Sequence, residues 1–159
     1  MRLLRYLLIA ATLAMLVGTA AAGTRKPAKP AAGDKCPVCG MFVAKYPGFL
    51  AQVLYRDGSQ VSFDGAKDMF KYLLNHKKYA GGKQESQLDA FFVTDYYSLA
   101  PIDAASAWYV IGSDVFGPMG KELIAFSKEA DAGEFKSDHK GKKILRFKDV
   151  TQAVLATLE

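Results

Sequence analysis

Phe49-Leu50-Ala51-Gln52-Val53-Leu54-Tyr55-Arg56-Asp57-Gly58-Ser59-Gln60-Val61-Ser62-Phe63 is the stretch from which the fold is read. Residues 49–56 and 59–63 are strand-like runs, and Asp57-Gly58 between them is a hairpin signal, because a tight turn needs positive φ. Asp64 then stands where a helix cap is expected. Ala66, Met69, Phe70, Leu73 and Leu74 recur at i, i+3, i+4, i+7 and i+8, the pattern of one buried helix face. After a polar loop over 79–87, residues 89–96 read as another strand. The order is β-β-α-β.

The second half repeats much of this order. Residues 107–111 and 122–126 are strand-like, Ser127 is placed to cap a short helix containing Ala130 and Phe135, and 143–147 form the next strand. A last helix over 149–158 carries Val150, Ala153, Val154 and Leu158 at helical spacing. The pattern predicts an α+β protein, two related ββαβ units fused into one compact domain with a C-terminal helix. The units span about 35–98 and 99–159.

Residues 1–22 read as a secretory signal. Arg2 and Arg5 precede an apolar run over 6–17, and Ala20-Ala21-Ala22 supplies small residues before Gly23. The run is short for a bilayer span, which wants about 20 apolar residues. Residues 23–34, punctuated by Pro27 and Pro30, read as a flexible linker. The formal net charge is +5, and losing Arg2 and Arg5 lowers it by two. That balance is ordinary solubility, and basic clusters are not interleaved with aromatics, so nucleic acid is excluded as a partner. An export signal places the mature chain in the periplasm.

Cys36-Pro37-Val38-Cys39-Gly40-Met41 holds both cysteines of the chain. In an oxidising compartment an idle pair closes to a disulfide unless a metal or a reductant protects it. Four uses stand open on spacing alone. A thioredoxin-like redox pair would follow a strand and open a helix, yet Gly33-Asp34-Lys35 precedes this one and Gly40 follows it. A structural zinc site wants four ligands, and the chain offers only the distant His76 and His139 besides the cysteines. A plain disulfide is the third use. The fourth is Cu(I), which soft sulfur ligands select.

Met41 and Met119 weigh toward copper. Met119 lies in the turn-rich Phe116-Gly117-Pro118-Met119-Gly120, where a core methionine is not expected. Met69, on the apolar helix face, belongs to the core, and Met41 beside Phe42 and Val43 fits either role. His139, in a polar loop, is either solvated or a borderline nitrogen ligand. His76 at a helix end reads as a cation favoured by the helix dipole. No Ser-His-Asp order, phosphate loop or catalytic carboxylate pair stands out, so the chain is not read as an enzyme.

These residues together resemble the NosL family, the copper carriers that accompany nitrous oxide reductase. The resemblance rests on the CPVCGM stretch, on Ala107-Trp108-Tyr109-Val110-Ile111-Gly112, on Gly117-Pro118-Met119-Gly120, on Ala125-Phe126, and on 141–150 with Leu145-Arg146-Phe147. It implies paired β-β-α-β units and Cu(I) held by Cys36, Cys39, Met41 and Met119. His139 corresponds to a family histidine before the late glycine, with a spacing one residue longer. A copper-enzyme client, nitrous oxide reductase, and a copper-donor protein are the partners implied. Family members are commonly lipoproteins, whereas no cysteine lies near the end of the apolar run here, so membrane anchoring is not expected. The rival expectations are a thiol-disulfide protein and an interaction domain built on a zinc knuckle.

Overall fold

The computed structural model describes residues 26–159; the predicted signal segment, 1–22, lies outside them. Strand β1 (Ala51–Tyr55) turns into β2 (Gln60–Phe63) through Arg56, Asp57 and Gly58. Gly58 adopts φ +87°, and its amide donates to Tyr55 O at 2.9 Å. Asp57 Oδ1 accepts from the Ser59 amide at 2.9 Å and so fixes the far side of the loop. Helix α1 (Ala66–Leu74) follows, then the single turn α2 (His76–Tyr79), then β3 (Leu88–Thr94) and a short edge strand, β4 (Pro101–Asp103). The sheet order is β2-β1-β3-β4, antiparallel throughout. As the covered central strand, β1 is buried at every position, so its sequence shows no alternation. The one polar residue in it, Gln52, donates to Ala28 O at 2.8 Å and to Ser62 Oγ at 3.2 Å. Ala28 thereby ties the proline-punctuated lead-in to the sheet.

The second half contains β5 (Trp108–Ile111), the small hairpin β6 (Phe116–Gly117) and β7 (Gly120–Lys121), β8 (Ile124–Phe126), α3 (Glu129–Asp138), β9 (Lys143–Arg146) and α4 (Gln152–Ala156). Its sheet runs β8-β5-β9, again antiparallel with the first strand in the centre. On β5 the alternation of side chains divides the core. Tyr109 and Ile111 join the large cluster built around Met69, Phe70, Leu155 and Leu158, while Val110 faces Ile124, Phe126 and Phe135 under α3.

Helix α1 binds the halves together. Phe70 meets Tyr109 edge-on at 5.3 Å between centroids and Phe147 at 4.9 Å. At the other seam, Tyr96 donates its amide to Ala125 O at 2.9 Å, and Asp95 Oδ2 accepts from the Ser127 amide at 2.7 Å. The architecture is the predicted α+β class with antiparallel sheets and small helices.

Several local expectations change. Gly65, not Asp64, is the N-cap of α1, because the Asp64 side chain is turned to a thiol. Lys128, not Ser127, is the N-cap residue of α3 and makes no side-chain cap, while the Ser127 amide donates to Asp95. Leu74 is exposed and Tyr72 takes its place in the core. The last helix begins later than predicted, at Gln152, after Phe147–Asp149 closes a tighter 3-10 turn; Ala153 consequently faces solvent and Leu155 the core. His76 opens the short α2 and is not an exposed helix-end residue: it is buried, its Nε2 lies 2.9 Å from Tyr55 Oη, and it packs edge-on to Tyr72 at 5.3 Å.

Candidate metal centre

The CPVC loop is a closed knuckle. Lys35 and Phe42 form an isolated antiparallel bridge, Cys36 donates its amide to Met41 O at 2.9 Å, and Gly40 donates to Cys36 O at 2.8 Å. Gly40 sits at φ +80°, a conformation that bears a side chain poorly, so glycine is required where the chain doubles back. This turn presents the two sulfurs on one side, toward α1.

There they meet two carboxylates. Cys36 Sγ donates to Asp68 Oδ2 at 3.3 Å, and Cys39 Sγ donates to Asp64 Oδ1 at 3.1 Å. One ligand atom from each of Cys36, Cys39, Asp64 and Asp68 lies within 4.8 Å of every other. Asp64 precedes α1 and Asp68 occupies its first turn, and each carboxylate reaches one thiol of the knuckle. Cys36 is almost fully buried and Cys39 half-buried.

Burial and nearby charge hold both thiols protonated. Burial pushes Cys36 up to about 12, against the amides of Cys39 and Val38, which point at its sulfur, while the charge of Asp68 adds to the rise. Cys39 is raised further, first by burial and then by its hydrogen bonds to Asp68 and Asp64. A metal ion would take the place of the thiol protons, and its binding is therefore linked to pH.

Cys39 and Asp68 also line a cavity of about 550 Å³, walled in part by Val38, Lys67, Leu155 and Met119. Met119 stands at the tip of the β6–β7 hairpin, 46% exposed, on the same cavity as Cys39. The other two predicted ligands stand apart from this wall. Met41 is half-buried behind the knuckle, where its amide points at Cys39 Sγ. His139 is the C-cap of α3; its Nδ1 lies 3.2 Å from Asp114 Oδ1 and its ring stacks on Phe135 at 4.4 Å. Asp64 and Asp68 were missed in the sequence reading. Asp64 reads from the sequence as a helix cap, and nothing in the sequence marks Asp68.

A thiol–carboxylate cluster at the edge of a cavity, carried by an antiparallel α+β frame, is an arrangement that could hold a metal ion. The NosL family model matches residues 27–155, and the chain belongs to the NosL family. It is 33% identical over 129 residues to the copper-binding lipoprotein NosL of Stutzerimonas stutzeri, a match covering 77% of this chain and 64% of that protein. The crystal structure of the copper chaperone NosL from Shewanella denitrificans superimposes with a TM-score of 0.64 at 30% identity, covering 80% of this chain and 99% of that one. The solution structure of apo-NosL from Achromobacter cycloclastes is 25% identical over 66% of this chain and 87% of its own, at a TM-score of 0.45. The Stutzerimonas relative is named for binding copper and the Shewanella relative as a copper chaperone, neither as an enzyme. Among the described residues, no helix is long and apolar enough to cross a membrane.

Proposed function

We propose that this protein is an exported, periplasmic Cu(I) metallochaperone that receives copper from a donor protein and delivers it to a client enzyme, nitrous oxide reductase. The observation that carries the reading is the knuckle: two thiols on one side of a closed turn, next to a cavity that a methionine also lines. Soft thiolates and a thioether favour monovalent copper over harder ions. Family membership and the copper-binding relatives support the same cargo.

Cys36 and Cys39 are the core ligands, and Met119 completes the site from the hairpin tip. Met41 and His139, implied by the family pattern, are outer candidates. On arrival of Cu(I), each thiol that ligates gives up its proton. Asp64 and Asp68 already accept the S–H hydrogen bonds, so they are the first acceptors, and the cavity opens a route to water. Cys39 is less buried than Cys36 and is the sulfur through which a partner's ligand enters during transfer.

The thiol-disulfide alternative requires a nucleophile with a lowered pKa, and both thiols here are shifted upward. The zinc alternative is favoured by one observation: two sulfurs and two carboxylate oxygens satisfy a four-coordinate zinc set. X-ray absorption at the copper edge of the Cu(I)-loaded protein tests the assignment. A sulfur-only shell that loses one scatterer in Met119→Ala is expected. An oxygen- or nitrogen-dominated shell, unchanged in that variant, would remove Met119 from the site.

A further inference from the structure

The turn that carries Met119 is fastened to the helix that carries Asp68 by two buried charged residues outside the donor cluster. Glu122, 3% exposed, lies just after β7; its Oε1 accepts from the Lys67 amide at 2.6 Å and from the Leu123 amide at 2.8 Å. Lys67 stands in the first turn of α1, whose N-cap Gly65 makes no side-chain cap. The carboxyl therefore satisfies a helix-start amide from the other half of the chain, a task normally done by a local Ser, Thr, Asp or Asn. In return, the Lys67 side chain, 2% exposed, donates Nζ to Met119 O at 2.9 Å and to Leu158 O at 3.3 Å.

The surrounding glycines make room for this interlock. A Cβ at Gly65 would fall 2.1 Å from Glu122 Oε2, and one at Gly117 would fall 2.9 Å from Glu122 Cγ. Two buried charged side chains, reciprocally bonded to each other's backbone segments across a seam, need a reason beyond packing, because such groups are costly to bury. Met119, beyond the lock, has a half-exposed side chain that would otherwise ride on a short hairpin with two-residue strands.

We infer that Glu122 and Lys67 are positioning residues that lock the β6–β7 hairpin to the start of α1 and thereby hold the Met119 thioether beside Cys39 for copper. This rests on the reading of Met119 as a copper ligand. Neither residue touches the metal. They act by fixing the backbone on which the thioether is carried, so that the ligand is preorganised and does not have to be ordered on each binding event.

The test is a double-mutant cycle on the purified chain, read as Cu(I) affinity by competition with a chromophoric Cu(I) chelator under anaerobic conditions. Lys67→Met keeps the buried stem and removes the ammonium; Met119→Ala is the second perturbation of the cycle. Lys67→Met is expected to weaken Cu(I) binding by the factor seen in Met119→Ala, with no further loss in the double variant. Additive losses, or an unchanged affinity in Lys67→Met when Met119→Ala is weakened, would overturn the lock.

Hydrogen exchange over residues 116–121 of the metal-free protein separates the two claims. Exchange there should accelerate about tenfold in Lys67→Met while β1 and β2 keep their protection. Unchanged exchange overturns the lock whatever copper does. Faster exchange, with Cu(I) affinity unmoved by either Lys67→Met or Met119→Ala, overturns the link to copper and places the failure in the ligand reading.

Discussion

Replacing Glu122 by glutamine should remove a pH dependence from folding. The Glu122 carboxyl is pushed from its ordinary value, 4.5, up to about 7, first by burial and secondarily by the charge of Asp68. The amides of Leu123 and Lys67 and the Lys67 charge pull the other way without prevailing. A folded-state value above the unfolded one means that the protonated carboxyl is the form the fold tolerates. The associated stability is complete below about pH 4.5 and is lost as pH rises through about 7. At about 1.4 kcal/mol per pH unit, the interval amounts to about 3 kcal/mol. Glutamine presents the same acceptor oxygen to the Lys67 amide and does not titrate. Urea unfolding of both proteins between pH 4.5 and 8 measures the effect. The difference in unfolding free energy should move by about 3 kcal/mol in favour of Glu122→Gln toward pH 8. A difference that stays constant over that range would refute the reasoning, since the carboxyl would then ionise as easily folded as unfolded.

Two further perturbations probe the same region. Asp68→Asn removes the carboxylate that bonds to both thiols and raises them, so Cys39 should alkylate faster with iodoacetamide at fixed pH, about tenfold per pKa unit of the fall. An unchanged rate would separate Asp68 from the thiols. Gly65→Ala drives a Cβ onto Glu122 Oε2 and should destabilise the fold by about 1–3 kcal/mol in urea unfolding. Wild-type stability in that variant would show that the carboxyl has room to move.

The elements legible from sequence are those set by local chemistry. Gly58 and the apolar run around it announce the first hairpin, and Met69 and Phe70 announce the buried face of α1. The helix face is misjudged by one residue because Tyr72, not Leu74, is drawn inward, and the pull is tertiary: its ring packs against Phe63 and His76. Strands of two residues, such as β6 and β7, contain too little pattern to register, and half of their residues are glycine.

The site divides in the same way. Cys36 and Cys39 are visible as spacing, and the glycines around Met119 mark a turn. The carboxylates are not visible as partners, because Asp64 at a helix start has a sufficient local role as a cap. Its actual partner is 25 residues away. Nothing in the sequence marks Glu122 or Lys67; only the meeting of the two halves buries them, bonding the Glu122 carboxyl to the Lys67 amide and the Lys67 ammonium to Met119 O.

The central claim is that a single Cu(I) occupies the Cys36–Cys39 knuckle in preference to zinc. Native mass spectra of the reduced protein, titrated anaerobically with Cu(I) and Zn(II) against a competing chelator, test it most directly. The account predicts a one-copper adduct that displaces zinc and disappears in Cys36→Ser and in Cys39→Ser. A zinc adduct that copper fails to displace, or a copper adduct that survives both substitutions, would contradict it.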